Sequence, residues 1–288
     1  MFEPYKKLLT IGITAYNDEK YIAQTLDSCV NQAGQIIICD NGSTDGTSRI
    51  CAEYAKKYSH IQYNKLEQDL GKCYGFNFVL KETMSKYFMW LGAHDYIDDN
   101  YTSPMIHMLE NCDGAVGSYP ASRSVTTDGQ EIGVYDCWFA NRLASDSALE
   151  RIYTLIAHLH EVSAFYGIYQ TKILKKFLPQ QVFTNMVAGD HPLLCALAAE
   201  GRMLYSPRSV FNWRQTKMHL SDAENLADYQ KNIFKNQDNS GFVPTRQNMC
   251  EWQLKILKEC KVKKPGDFFK KIWLVCKAKK KLKKRFGY

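Results

Sequence analysis

Three carboxylates stand where apolar runs meet polar loops. Asp40 follows Ile36-Ile37-Ile38-Cys39 and opens Asn41-Gly42-Ser43-Thr44-Asp45-Gly46-Thr47. Asp95 closes Gly92-Ala93-His94-Asp95 after the apolar run Tyr87-Phe88-Met89-Trp90-Leu91. Asp190 sits in Gly189-Asp190-His191-Pro192, ahead of a Leu- and Ala-rich stretch that ends at Gly201. In an open α/β sheet, ligands bind in the crevice beyond the carboxyl ends of the parallel strands. An Asp there, followed by small residues that let backbone approach a ligand, is a place to hold a nucleoside. The same run also suits a turn and a helix cap, because Asp, Ser and Thr satisfy the N–H groups of a helix start.

Those residues need strands and helices to carry them. Leu8–Thr14 reads as a strand, followed by the polar loop Ala15-Tyr16-Asn17-Asp18-Glu19. From Tyr21 to Gln32 the spacing is helical, with Ile22, Leu26, Cys29 and Val30 on one side. The run ending at Asp40 is a second strand, Thr47–Lys57 a helix, Ile61–Asn64 a third strand and Gly71–Ser85 a helix. Tyr87–Leu91 is short and wholly apolar, hence a buried strand. This alternation predicts a parallel sheet with helices on both faces.

Thr14-Ala15-Tyr16-Asn17-Asp18-Glu19 and Asp40-Asn41-Gly42-Ser43-Thr44-Asp45, in this order, resemble the opening of the family 2 glycosyltransferases. Those GT-A fold enzymes move a sugar from a nucleotide diphosphate donor, with inversion at the anomeric carbon. Over about the first two-thirds of the chain the resemblance implies an α/β, Rossmann-like, mostly parallel sheet flanked by helices, and the lysine-rich tail adds a basic helical C-terminal extension. The resemblance divides the chain into a nucleotide-sugar-binding half (1–105), an acceptor-binding half (106–220) and the extension (221–288). It implies that Thr14, Ala15, Tyr16, Asn17, Glu19 and Asp40 hold a nucleoside, usually uridine, with Ala93 and His94 beside the nucleotide. A UDP-sugar donor, a glycan or lipid-linked acceptor and a setting in bacterial surface-polysaccharide assembly follow from the same likeness.

The chain departs from the family pattern at several positions. Where the family carries Asp-x-Asp, which binds a divalent cation on the donor diphosphate, Gly92 and His94 replace the acids and only Asp95 keeps a carboxylate. Asp95, the diphosphate and water could still hold Mn²⁺ or Mg²⁺, and Mn²⁺ accepts imidazole. His94 could equally bond the phosphates or be structural. Phe76 replaces an arginine near the nucleotide; Lys72 either takes over that charge or is a solvated lysine at a helix start. The resemblance makes Asp190 the base that deprotonates the acceptor hydroxyl, with Gly189 in place of a Glu; a bare helix cap is the plainer reading. Past Pro207, Arg214 and Lys217 are candidate phosphate partners and His219 a candidate metal ligand, or a surface histidine in a polar loop. The mixed aromatic and polar segment His158–Tyr169 suits either an acceptor cleft or core.

Composition agrees with a globular enzyme of one large or two fused domains: 288 residues, 45% hydrophobic and 23% charged. No stretch approaches the ~18 apolar residues of a membrane span, and no apolar signal segment precedes the first strand. Ten cysteines occur as singletons without any CxxC pair, the usage expected of a reducing cytoplasm rather than of disulfides or zinc. Charge is uneven: residues 253–288 carry 14 Lys and Arg against 2 acids, a net of +12, which leaves −5 for the rest of the +7 chain. Phe268, Phe269, Ile272, Trp273 and Cys276 fall at helical spacing among lysines, the pattern of an interfacial helix. Residues 261–288 are therefore expected to meet an anionic membrane surface, placing the protein on the inner face of the cell membrane. A solvated face and a nucleic-acid patch are the other readings of such a run; no nucleic-acid motif occurs in the body, so no nucleic-acid partner is expected. The rival to an enzyme is a GT-A-like pseudoenzyme that keeps a nucleotide pocket without catalysis.

Overall fold

The apolar runs form the centre of one mixed sheet. A computed structural model describes residues 3–158, 163–177, 190–215, 246–261 and 266–286. Strands β1 (Leu9–Ala15), β2 (Gln35–Asp40), β3 (Ile61–Lys65) and β4 (Tyr87–Gly92) are parallel and lie in the order β3-β2-β1-β4. After the short α1 (Glu3–Lys6), helices α2 (Ile22–Cys29), α3 (Thr47–Lys57) and α4 (Lys72–Glu82) make the crossovers. Every residue of β4 is buried, as in a strand covered on both faces. The period of two divides the side chains. Ile11, Ile13, Ile36, Ile38, Met89 and Leu91 join Ile22 and Leu26 of α2, and Met105 and Ile106 of α5 (Thr102–Glu110), in one core. Ile37, Cys39, Phe88 and Trp90 join Val79 and Leu80 of α4 in the other.

Gly12 sets how closely α4 sits on the sheet. A Cβ there would lie 2.6 Å from both Phe88 Cζ and Val79 Cγ2. The helix therefore lies against β1, and its first residue, Lys72, comes to the end of the sheet where β1 finishes.

The second half continues the same sheet with mixed directions. It contains β5 (Tyr96–Ile97), β6 (Ala115–Val125), β7 (Glu131–Tyr135), β8 (Ile168–Gln170) and β9 (Arg202–Arg214). Nine strands among the described residues run β3-β2-β1-β4-β8-β6-β9-β5, with β7 on β6. β8 is antiparallel to both β4 and β6, while β9 is parallel to β6 and antiparallel to β5. One sheet thus crosses the division drawn at residue 105. The residues after Pro207, up to Arg214, are strand rather than loop. Two of their polar side chains are buried because they are satisfied inside: Ser209 Oγ donates to the Tyr101 carbonyl at 2.7 Å and Asn212 Nδ2 to Asp98 Oδ1 at 2.7 Å.

Helices α6 (Ala140–Leu143), α7 (Ala148–His158), α8 (Thr171–Leu174), α9 (Asp190–Glu200), α10 (Arg246–Glu259) and α11 (Gly266–Phe286) complete the chain. Leu149, Ile152 and Leu155 of α7, Leu193, Leu194 and Leu197 of α9, Leu254 and Leu257 of α10, and Leu274, Ala278 and Leu282 of α11 all join the core around Trp90. Phe165 stacks on Trp90 at 4.9 Å and Tyr166 on Phe211 at 4.1 Å, so these aromatics of the 158–169 segment are core. All ten cysteines are thiols, and burial pushes those of Cys29, Cys39, Cys51, Cys73 and Cys195 up to about 12, as for small hydrophobes. Among the described residues no helix is long and apolar enough to cross a membrane.

Candidate active site

The loops at the carboxyl ends of β1, β2 and β3 are tied into one rim. Asn17, at φ 55°, donates its N–H to Ser43 Oγ at 3.0 Å and accepts the Thr44 N–H on Oδ1 at 2.9 Å. Asp18 N–H reaches Thr47 Oγ1 at 2.8 Å, and Glu19 Oε2 accepts the Gly46 N–H at 2.7 Å. Asn41 extends the rim by accepting the Leu70 N–H at 3.0 Å and bonding Asp69. Asn17 and Glu19, expected beside the nucleoside, thus also clasp the second loop. Ala15 is buried, its carbonyl accepting the Asn41 N–H at 2.8 Å, while Thr14 packs beside Gly75 of α4 and Tyr16 is exposed on the rim.

Asp40 lies under this rim. It is fully buried and accepts from Ser43 N–H at 2.8 Å, Ser48 Oγ at 2.6 Å and the Tyr63 hydroxyl at 2.8 Å. Burial alone would raise its pKa, but the donors, led by Ser43, outweigh it and hold the carboxyl below its ordinary value. Three of about four acceptor positions are in use, which fixes the carboxylate as an anion at the end of β2.

The end of β4 carries the second cluster. His94 turns Nδ1 toward Asp18 Oδ1 at 3.5 Å and Nε2 toward Asp95 Oδ2 at 3.8 Å. Burial alone would lower the His94 pKa; Asp95 and Asp18 outweigh it and raise it. Asp95 is buried, which lifts its own pKa against the pull of His94 and Arg214, and its Oδ1 accepts the Arg214 N–H at 2.8 Å. Ala93 is buried beneath, its carbonyl and that of Asp95 both accepting from Thr25 Oγ1, at 2.8 and 2.7 Å. The Arg214 guanidinium bonds the carbonyls of His94 at 2.9 Å and Thr127 at 2.8 Å and Gln24 Oε1 at 2.6 Å, between the Tyr21 and Tyr96 rings. Expected as a phosphate partner, it is 4% exposed and braces the loop instead.

Lys72 lies near this cluster: burial lowers its pKa, while Asp18, Asp95 and Asp69 pull it upward. Asp190 is the first residue of α9, half-buried, its Oδ1 accepting the His191 N–H at 2.9 Å. Its helix packs on the same sheet face as α4. Lys217 and His219 lie outside the described residues. The residue that sequence reasoning left out is Asp18. Its place between Asn17 and Glu19 was the available signal, and it is the carboxylate that orients His94.

The donor set departs from what a divalent cation needs. Asp95 has one oxygen on a backbone N–H and the other beside His94. A Cβ at Gly92 would stand 2.7 Å from Asp95 Oδ2, so an acid at that position would displace the one that remains. Among the described residues no three His, Cys, Asp or Glu side chains converge on a point a metal could occupy. Among the described residues the donor set does not fit the family's cation.

A mixed sheet whose parallel half ends in clasped loops is the GT-A fold. S. aureus TarS 1-349, solved in complex with UDP-GlcNAc, aligns with 96% of this chain and 72% of its own at a TM-score of 0.65 and 16% identity. Residues 10–178 match the pattern of glycosyl transferase family 2, and the chain belongs to that family. The teichoic acid poly(glycerol phosphate) polymerase of Staphylococcus epidermidis is 33% identical over 112 residues, 38% of this chain and 16% of that protein. Glycosyltransferase GlyA of Streptococcus pneumoniae is 25% identical over 174 residues, 59% of this chain and 23% of that protein. The chain thus matches only a minor part of these relatives' lengths.

Proposed function

We propose that this protein is an inverting glycosyltransferase that moves a sugar from a UDP-sugar to a hydroxyl of a glycan or lipid-linked acceptor in surface-polysaccharide assembly. The observation that supports the reading is the rim itself: the loops after β1 and β2 are clasped to each other, and Asp18 of the first meets His94 at the end of β4. A UDP-GlcNAc complex of a protein with the same fold and the names of the relatives support the donor class and the setting. In the reaction, Asp190 accepts the proton of the acceptor hydroxyl while its oxygen attacks the anomeric carbon. The bond from that carbon to the β-phosphate oxygen breaks, and UDP leaves with the electron pair. One displacement from the opposite face inverts the centre. A single base within hydrogen-bond reach of the hydroxyl suffices for this chemistry.

The acceptor's setting is an anionic membrane surface. The support is the outer face of α11, where Phe268, Phe269, Ile272 and Trp273 are exposed among lysines while Leu274, Ala278 and Leu282 are buried. Such a helix lies in the interface plane.

UDP release from a panel of UDP-sugars, measured with membrane extract as acceptor, tests the reading. Release from one donor that Asp190→Asn abolishes supports it; no release from any donor while UDP still binds would favour the pseudoenzyme.

A further inference from the structure

Two family positions have changed in this chain, and the changes complement each other. Phe76, standing where the family has arginine, turns into the core, its ring edge-on to Trp90 at 6.5 Å and to Phe165 at 5.7 Å. One turn earlier on α4, Lys72 occupies the polar end of the sheet among Asp18, Asp69 and Asp95. The close seat of α4 on β1 puts it there: Gly12 has no room for a side chain, and a Cβ at Gly75 would already touch Thr14 Cγ2 at 3.0 Å. The cation lost at residue 76 has its counterpart at residue 72.

At the end of β4 the exchange goes the same way. Gly92 and His94 remove two acids, and both ring nitrogens of His94 face carboxylate oxygens, at 3.5 and 3.8 Å. At these separations the ring sits between two carboxylates, where an imidazole is held by charge. The remaining carboxylate, Asp95, is held by the Arg214 amide at 2.8 Å. The rim thus sets an ammonium and an imidazole among the Asp18, Asp69 and Asp95 carboxylates, and these two are the groups with which an incoming anion would pair. Phosphate oxygens accept from such donors readily, and lysine serves them as a point charge.

We propose that Lys72 and His94 neutralise the donor diphosphate in this chain, in place of the divalent cation held by Asp-x-Asp elsewhere in the family. The inference rests on the UDP-sugar reading above and names the groups that stabilise its leaving diphosphate. Asp18 and Asp95 orient the two donors and yield them to the phosphates when the nucleotide enters.

Calorimetric titration of UDP, and of uridine as the phosphate-free control, into the full chain tests this in EDTA and in Mn²⁺. UDP affinity is expected to be the same in both buffers. Lys72→Met should weaken UDP by about tenfold or more and leave uridine binding unchanged, with Lys72→Arg recovering part of the loss. His94→Ala should again weaken UDP and not uridine. UDP binding that vanishes in EDTA and returns with Mn²⁺ overturns the proposal while keeping the donor reading. A Lys72→Met protein that binds UDP like the parent also overturns it. If neither UDP nor uridine binds in any buffer, the donor reading fails and the proposal with it.

Discussion

Asp40 and Asp190 are carboxylates in opposite circumstances, and their variants should differ accordingly. Asp190 is half-buried at a helix start, where its Oδ1 accepts the neighbouring His191 N–H. As the base, its replacement by Asn should lower turnover by about 10²–10⁴-fold while UDP affinity in calorimetry stays put. Asp40 instead holds the β2 loop through Ser43, Ser48 and Tyr63. Its pKa is depressed in the fold, so its stabilisation is full above the unfolded value of about 3.9 and is lost as pH falls through the lower folded one. Asp40→Asn should therefore have a lower urea midpoint than the parent at neutral pH, with the gap closing in acid; a gap independent of pH would contradict the assignment. The place of Asp40 at the end of an apolar strand was legible in the sequence. The bond of Asp95 to the Arg214 amide was not, since it joins residues 119 apart in sequence.

Elements were legible where the hydrophobic period was clean. Strands β1 to β4 and helices α2 to α4 fall close to where alternation and helical spacing put them, because both faces of β1, β2 and β4 are covered and most of their buried positions are apolar. β9 escaped that reading. Its Ser206, Ser209 and Asn212 are buried by 98% or more yet polar, their hydrogen bonds supplied by Tyr101, Asp98 and each other. A pattern of apolar residues does not register a strand satisfied in this way. The seat of α4 gives a test at this scale. Gly12→Ala drives a methyl into Phe88 and Val79, and should cost about 1–3 kcal/mol of stability, read as a lower urea midpoint. It should also weaken UDP binding, because α4 carries Lys72; a Gly12→Ala protein of unchanged stability would mean that the helix is not held where the sheet places it.

For the whole molecule, charge asymmetry was visible in the sequence, whereas the two-faced nature of the tail required the fold. The helical spacing of Phe268, Phe269, Ile272 and Trp273 marked one apolar side, and the fold adds a second: Leu274, Ala278 and Leu282 dock α11 on the core of α7, α9 and α10. Deleting the tail would uncover that core, so surface changes make the sharper test. Phe269→Ser with Trp273→Ser removes two exposed rings, 75% and 54% accessible, and leaves the buried face alone. Co-sedimentation with phosphatidylglycerol vesicles should fall by about tenfold or more, the loss of roughly 2 kcal/mol of apolar burial, and added salt should weaken the parent's binding. Retention unchanged by the double variant, or equal on uncharged vesicles, would remove the membrane from the account.

A helix welded to the body on one side and, as proposed, resting on lipid on the other would act as a spacer of fixed height. The crevice would then ride at a constant elevation above the bilayer. An acceptor would be chosen partly by reach: a saccharide chain too short to climb to that elevation, or long enough to overshoot it, would present its hydroxyl at the wrong level. Product length would be gauged by the thickness of the protein as well as by the sugars it recognises.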